Sequence, residues 1–294
     1  MSHSSKDQST LAWVLLVILA LIWGSSFILI KKGLLVFNPG EVGALRIVFA
    51  GLVLLPFSLP KLKGISRKYW GLLFVVGLFG SFIPAFLFAK AQTQLDSSIT
   101  GVLNGLTPIF TLIIGYIFFH QRIRSQNWVG ILVGFLGMTW LAMNGEDGIG
   151  KINYYVFFVI VATMLYGTNV NLIKYKIKDL PSLLITSVSL SMVLPFGLIF
   201  LFLATDFTQK ITEVQGAGLA LFYIALLGIM GTAVALILFN KLVKISSPIF
   251  SSSVTYLIPI VAIAWGLIDN ETLQWTDFIG IAAIIFGVYY ASKK

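Results

Sequence analysis

Apolar residues occur in this chain as long blocks, not at short intervals. After a polar tail at residues 1–10, ten apolar stretches follow at about 11–30, 41–60, 69–89, 98–118, 126–143, 153–173, 182–203, 216–239, 247–268 and 275–292. Each approaches the ~20 residues that a helix needs to cross the hydrocarbon core of a bilayer. The links between them are too short to hold a further domain. The pattern predicts an all-α integral membrane fold of ten transmembrane helices. The first stretch is long and carries a polar interruption that is mirrored later, so it is expected to stay in the mature fold and not to be cleaved as a signal peptide.

That interruption organises the rest. Leu21 to Lys32 reads LIWGSSFILIKK, and 143 positions later Met164 to Tyr175 reads MLYGTNVNLIKY. Trp23 answers Tyr166, Gly24 answers Gly167, Ser25 answers Thr168, Ser26 answers Asn169, and Lys31 answers Lys174. A polar notch in lipid-grade sequence is costly unless it faces protein or a cavity. Further matches follow: Val53-Leu54-Leu55-Pro56-Phe57 with Met192-Val193-Leu194-Pro195-Phe196, and, at an offset of 151, Gly80 with Gly231, Lys90 with Lys241 and Pro108 with Pro259. A one-residue slip aligns Gly130 with Gly280 and Gly137 with Gly287. Residues 11–143 and 153–292 therefore read as two copies of a five-span unit. An odd span count makes the second copy enter from the opposite side, and such inverted repeats mark secondary transporters, with the site at the repeat interface near the midplane.

Composition narrows the class. The chain of 294 residues is 58% hydrophobic and 11% charged, against about 25% charged for an ordinary soluble domain. Cysteine is absent, which excludes disulfides and thiolate metal sites. The net charge of +9 sits mostly in links between spans, where topology explains it and nucleic acid need not. Fourteen of the 20 basic residues fall on one side, which by the positive-inside rule places both termini in the cytoplasm.

The WGSSF phrase, Leu45-Arg46 in the second span, the Leu-x-Pro fourth and ninth spans and Asn270-Glu271-Thr272 carry a family resemblance. The chain resembles the EamA-type, ten-span members of the drug/metabolite transporter superfamily over nearly its whole length. That resemblance implies a cell-membrane carrier of small molecules, with efflux favoured. One departure stands out: where the family carries Gly-Glu between the fourth and fifth spans, this chain has Phe119-His120-Gln121. The loss from one repeat reads Glu271 as a helix-end or topology feature.

Candidate site residues come from helical spacing. Thr100, Asn104, Thr107 and Thr111 step by four, three and four, a single polar stripe. Ser251, Ser252, Thr255, Tyr256 and Pro259 repeat the plan, with Thr255 at the place of Asn104. The stripe could line a cavity or serve as interhelical hydrogen bonding; Gly130 to Gly134 reads as close packing. Trp23 and Tyr166 lie too deep for an interface belt and could form an aromatic box. The substrate-binding set expected is Trp23, Ser25, Ser26, Asn104, Thr107, Tyr166, Thr168, Asn169, Thr255 and Tyr256. Arg46, inside the second span, has structural and substrate roles both open. Helix geometry sets it some 140° from Glu41, a poor pair.

No Asp or Glu lies in mid-span, and the two histidines, His3 and His120, lie in the tail and at a helix end. Aspartyl, Ser–His and H-E-x-x-H chemistries at membrane depth are thereby excluded, and neither charged rings nor a backbone filter suggests a channel. Span-end acids Glu41, Asp96 and Asp269 are expected to sit in water with ordinary titration. The expected partners are the bilayer and a small-molecule substrate, without cofactor, metal or nucleic acid; monomer and homodimer both stay open. The substrate class expected is small neutral or zwitterionic metabolites, amino acids or related compounds, moved by alternating access as facilitator or exchanger; a single Arg is too few for nucleotide sugars or phosphate esters.

Overall fold

A computed structural model describes residues 2–121, 124–143, 153–245 and 254–292, and no strand occurs among them. The helices are α1 (Ser2–Leu34), α2 (Pro39–Ser58), α3 (Arg67–Gly77), α4 (Ile83–Ala91), α5 (Ser97–Asn104), α6 (Thr107–Phe119), α7 (Ser125–Met143), α8 (Val156–Lys176), α9 (Ser182–Leu203), α10 (Phe207–Glu213), α11 (Ala217–Gly228), α12 (Ala235–Ile245), α13 (Val254–Ile268) and α14 (Trp275–Ser292). Seven segments among the described residues are long and apolar enough to cross a membrane: Thr10–Leu34, Pro39–Gly64, Arg67–Ala91, Ser97–Phe119, Val156–Lys176, Ser182–Leu203 and Ala217–Leu242. Leu257–Ile268 and Trp275–Ala291 are shorter apolar helices. Helix α1 runs back to Ser2, through residues expected as a polar tail. No Pro or Gly stands there to end it.

Burial is that of a lipid-solvated protein. Trp13, Val14, Val17 and Leu21 on α1, Phe118 on α6, Leu203 on α9 and Trp275 on α14 are all exposed, which in water would be an aggregation surface. Small residues set the helix contacts inside. On α7 and α14 the glycines face one another: a Cβ at Gly137 would stand 2.8 Å from the Gly280 carbonyl oxygen, and one at Gly130 would stand 2.6 Å from that of Gly287. Glycine is required there because backbone meets backbone. The packing expected for Gly130 to Gly134 is what the structure shows, with Gly134 seated on Ile109.

Local chemistry explains the breaks. Asn38 caps α2 in a capping box with Glu41, and Pro39 occupies the first turn, where its missing N–H costs nothing. Between α5 and α6 the chain turns at Gly105 and Leu106. Pro108 has no N–H for the Asn104 carbonyl four residues earlier; the Thr107 hydroxyl donates to that carbonyl instead, at 2.8 Å. Two π-helical segments interrupt the long apolar helices, Leu78–Phe82 between α3 and α4 and Ile229–Val234 between α11 and α12. The first precedes Pro84 and the second precedes no proline, so proline is not their common cause. Each carries a glycine, Gly80 or Gly231, pressed against a notch residue.

Candidate functional site

The two notches are exchanged between the halves of the chain. Gly231 packs on Ser26, whose Oγ would lie 2.7 Å from a Cβ placed there, and Gly80 packs on the Asn169 amide. Gly24 presses on Val261 of α13, and Gly167 on Phe110 and Thr111 of α6. The aromatic residues follow the same rule. Trp23 lies against Phe239 with ring centroids 5.1 Å apart, and Tyr166 stacks on Phe88 at 5.9 Å. At the offset of 151, Phe88 corresponds to Phe239, Gly80 to Gly231 and Phe110 to Val261. These glycine and aromatic contacts of one notch each have a counterpart in the other.

The sequence-derived residues fall into two groups. Trp23, Ser26, Tyr166 and Asn169 converge on the π segments. The Trp23 indole donates to the Gly231 carbonyl at 3.1 Å. The neighbouring Thr232 accepts from Arg46 Nε at 2.8 Å, and the guanidinium also lies beside the Tyr166 hydroxyl. Ser26 donates to the Ile22 carbonyl, and the buried Asn169 Oδ1 has no hydrogen-bond partner. Trp23 and Tyr166 therefore pair with phenylalanines and not ring to ring as a box, among the described residues.

The others lie apart. Ser25 accepts the Trp265 indole N–H at 2.8 Å, and Thr168 donates to the Met164 carbonyl of its own helix. Thr100 is fully buried, and Thr100 and Thr111 donate to the Asp96 and Thr107 carbonyls. Asn104 ends α5 with a buried, unpartnered Oδ1. Thr255 lines a small crevice with Gly105, Pro259, Ile284, Ile285 and Val288. Tyr256 lies on α13, its side chain outside the described residues, as are Ser251 and Ser252 altogether.

One cluster was missed. Glu271, in the link after α13, accepts the Ser97 and Ser98 amides, both at 3.0 Å, and their hydroxyls at 2.6 and 2.7 Å. It thereby satisfies the free N–H groups opening α5. Lys31 Nζ reaches Glu271 Oε1 at 2.9 Å and Asp269 Oδ2 at 2.8 Å, and Lys32 pairs with Asp269. Burial pushes the Glu271 carboxyl up, but the hydrogen bonds from Ser97, Ser98 and Lys31 prevail and hold it below the usual value. At Asp269 burial is likewise outweighed, by Lys31 and Lys32. The only signal in the sequence was the acid-bearing Asn270-Glu271-Thr272 phrase.

One expectation is corrected. Span-end acids do not all sit in water: Asp269 is ion-paired, and the Glu41 side chain is 0% exposed and bonded to Lys210 at 2.8 Å. Desolvation by the packed helix ends brings lysines with the acids. Glu271 agrees with the helix-end alternative, at the start of α5, and is also a buried link between the halves.

A model described as the EamA-like transporter family matches residues 10–143 and 153–293. An Escherichia coli K12 protein named "Uncharacterized inner membrane transporter YedA" is 25% identical over 286 residues, 92% of this chain and 87% of its own. From the same organism, a "Probable amino-acid metabolite efflux pump" is 23% identical over 94% of this chain and 93% of its own. A solved crystal structure shares the fold at a TM-score of 0.64, with 17% identity over 95% of this chain and 96% of its own.

Proposed function

The chain belongs to the EamA-like transporter family, a multi-pass membrane transporter, and from that premise we propose that it is a secondary carrier of small neutral or zwitterionic metabolites. It works by alternating access as a facilitator or exchanger, with amino acids or related compounds as substrates and export as the physiological direction. Ten spans form two inverted five-span repeats, residues 11–143 and 153–292, with both termini in the cytoplasm. The observation that carries this reading is the exchange of notches, Ser26 on Gly231 and Asn169 on Gly80. A pair of equivalent contacts that each span both halves is what a rocking motion of one half against the other needs. The efflux-pump relative, at 23% identity, supports the substrate class and the direction.

Counterflow in proteoliposomes, with a panel of amino acids, nucleobases and sugars and a clamped membrane potential, tests it. The expected result is exchange of a small metabolite without response to an imposed pH step. Concentrative uptake that tracks the pH step would replace this reading with proton-coupled antiport. Topology is tested separately, since the chain has no native cysteine. Cysteines at Ser66 and Ser125 should label only from the cytoplasm and one at Gly148 only from outside; labelling of all three from one side ends the inverted-repeat model.

A further inference from the structure

We propose that Arg46, Tyr166 and Thr232 form a subsite for a carboxylate, so that the compounds carried are carboxylate-bearing zwitterions such as amino acids. This rests on the carrier reading above and narrows it, since neutral sugars and nucleobases lack the group.

Arg46 sits about two turns into α2. Guanidinium keeps its charge at any physiological pH, and an ionised group at that depth needs an opposite charge or water. The carboxylates in salt bridges among the described residues are those of Glu41, Asp269 and Glu271, and their partners are Lys210, Lys31 and Lys32. Arg46 takes part in none of them. Its protein neighbours are two hydroxyls, Thr232 Oγ1 at 2.8 Å from Nε and the phenol of Tyr166. Neutral hydroxyls orient a guanidinium but leave its charge uncompensated.

The geometry suits a ligand. Five N–H donors in a planar fork match a carboxylate in bidentate fashion, and only Nε is committed to Thr232. Each neighbour is itself held: Thr232 in a π segment and nearly fully buried, Tyr166 by its stack on Phe88. Next to Thr232, the Gly231 carbonyl receives Trp23. The cation therefore joins α2 and α8 to the second π segment, between the two halves, where an exchanged substrate has to lie. Unlike the notches, the cation occurs once. In the register that pairs Val53 with Met192, the place of Arg46 in the second half is taken by Ile185. One cation selects one carboxylate and does not favour phosphate esters of higher charge.

The test is counterflow into proteoliposomes with L-alanine, L-leucine, L-phenylalanine and L-threonine, each beside its own amide, and with a sugar and a nucleobase as uncharged controls. The wild type should carry at least one of the amino acids with kcat/KM about 100-fold above that of its amide. Arg46→Gln should abolish that preference by raising KM, while Arg46→Lys restores part of it. Gel filtration in detergent reports whether each variant is folded. Should Arg46→Gln not fold, Tyr166→Phe keeps the stacked ring and should still raise KM for the amino acid several-fold. Equal transport of acid and amide, or an unchanged KM in the folded variants, overturns the subsite. Flux of the sugar or nucleobase alone overturns the subsite and leaves the carrier reading standing. Flux of no probe overturns both.

Discussion

The links that follow α6 and α13 have the same backbone and opposite chemistry. At one, His120 has φ 54° and the Gln121 amide donates to the Gly115 carbonyl at 3.0 Å; at the other, Asn270 has φ 60° and the Glu271 amide donates to the Gly266 carbonyl at 2.9 Å. Both turns lay the next side chain over a helix glycine. From there they part. Glu271 is fixed by four bonds from Ser97 and Ser98 and one from Lys31. Gln121 donates to Asn171 Oδ1 at 2.8 Å, an uncharged contact. A repeat can thus preserve the turn while changing what the turn holds. Separating the Glu271 link from α5 would part charged groups, whereas the bond at Gln121 is neutral. The two links therefore differ in how firmly they are held.

Removing the acid should have the largest effect. Glu271→Ala leaves the opening N–H groups of α5 without their acceptor and the Lys31 ammonium with Asp269 alone, and should cost about 3 kcal/mol of stability. Gln121→Ala removes a neutral bond and should cost about 1 kcal/mol. Thermal unfolding in detergent measures both, and equal losses would erase the asymmetry.

Next come the glycines beneath the turns. A Cβ at Gly266 would strike Glu271 Oε2, and one at Gly115 would meet the Gln121 amide. Glu271 is held too firmly to yield, so Gly266→Ala should cost about 2 kcal/mol. Gln121 can swing away, and the gain in helix propensity of about 1 kcal/mol brings Gly115→Ala close to neutral.

A smaller loss is expected in acid. The carboxyls of Asp269 and Glu271 titrate below their ordinary values. The stability they contribute is complete above the unfolded-chain value of about 4 and falls away as pH drops through the lower folded values. Melting between pH 7 and pH 3 should show this acid limb, and Glu271→Gln should flatten it; an unchanged limb would place the acid sensitivity elsewhere.

The smallest contrast is between the lysines. Lys31→Gln should cost about 1 kcal/mol, since its side chain is 32% exposed and partly screened. Lys174, its counterpart, lies over the Tyr175 ring at 5.1 Å, and Lys174→Gln should stay within about 0.5 kcal/mol. High salt should narrow the gap.

Much of this architecture was legible along the chain because lipid enforces it locally. Long apolar stretches must be helical for their own backbone hydrogen bonds to close, and glycine at Gly130 and Gly134 marked close packing without any coordinates. The notch residues Trp23, Ser26, Tyr166 and Asn169 were found by their repetition alone. What they touch was not legible: nothing local tells Asn169 that Gly80 lies opposite, or Arg46 that Thr232 is in reach. The same holds for Glu271, whose partners Ser97, Ser98 and Lys31 lie in the other half of the chain. Helix type and depth follow from solvation, residue by residue. Pairing across the halves depends on which faces meet, and only the packed molecule decides that.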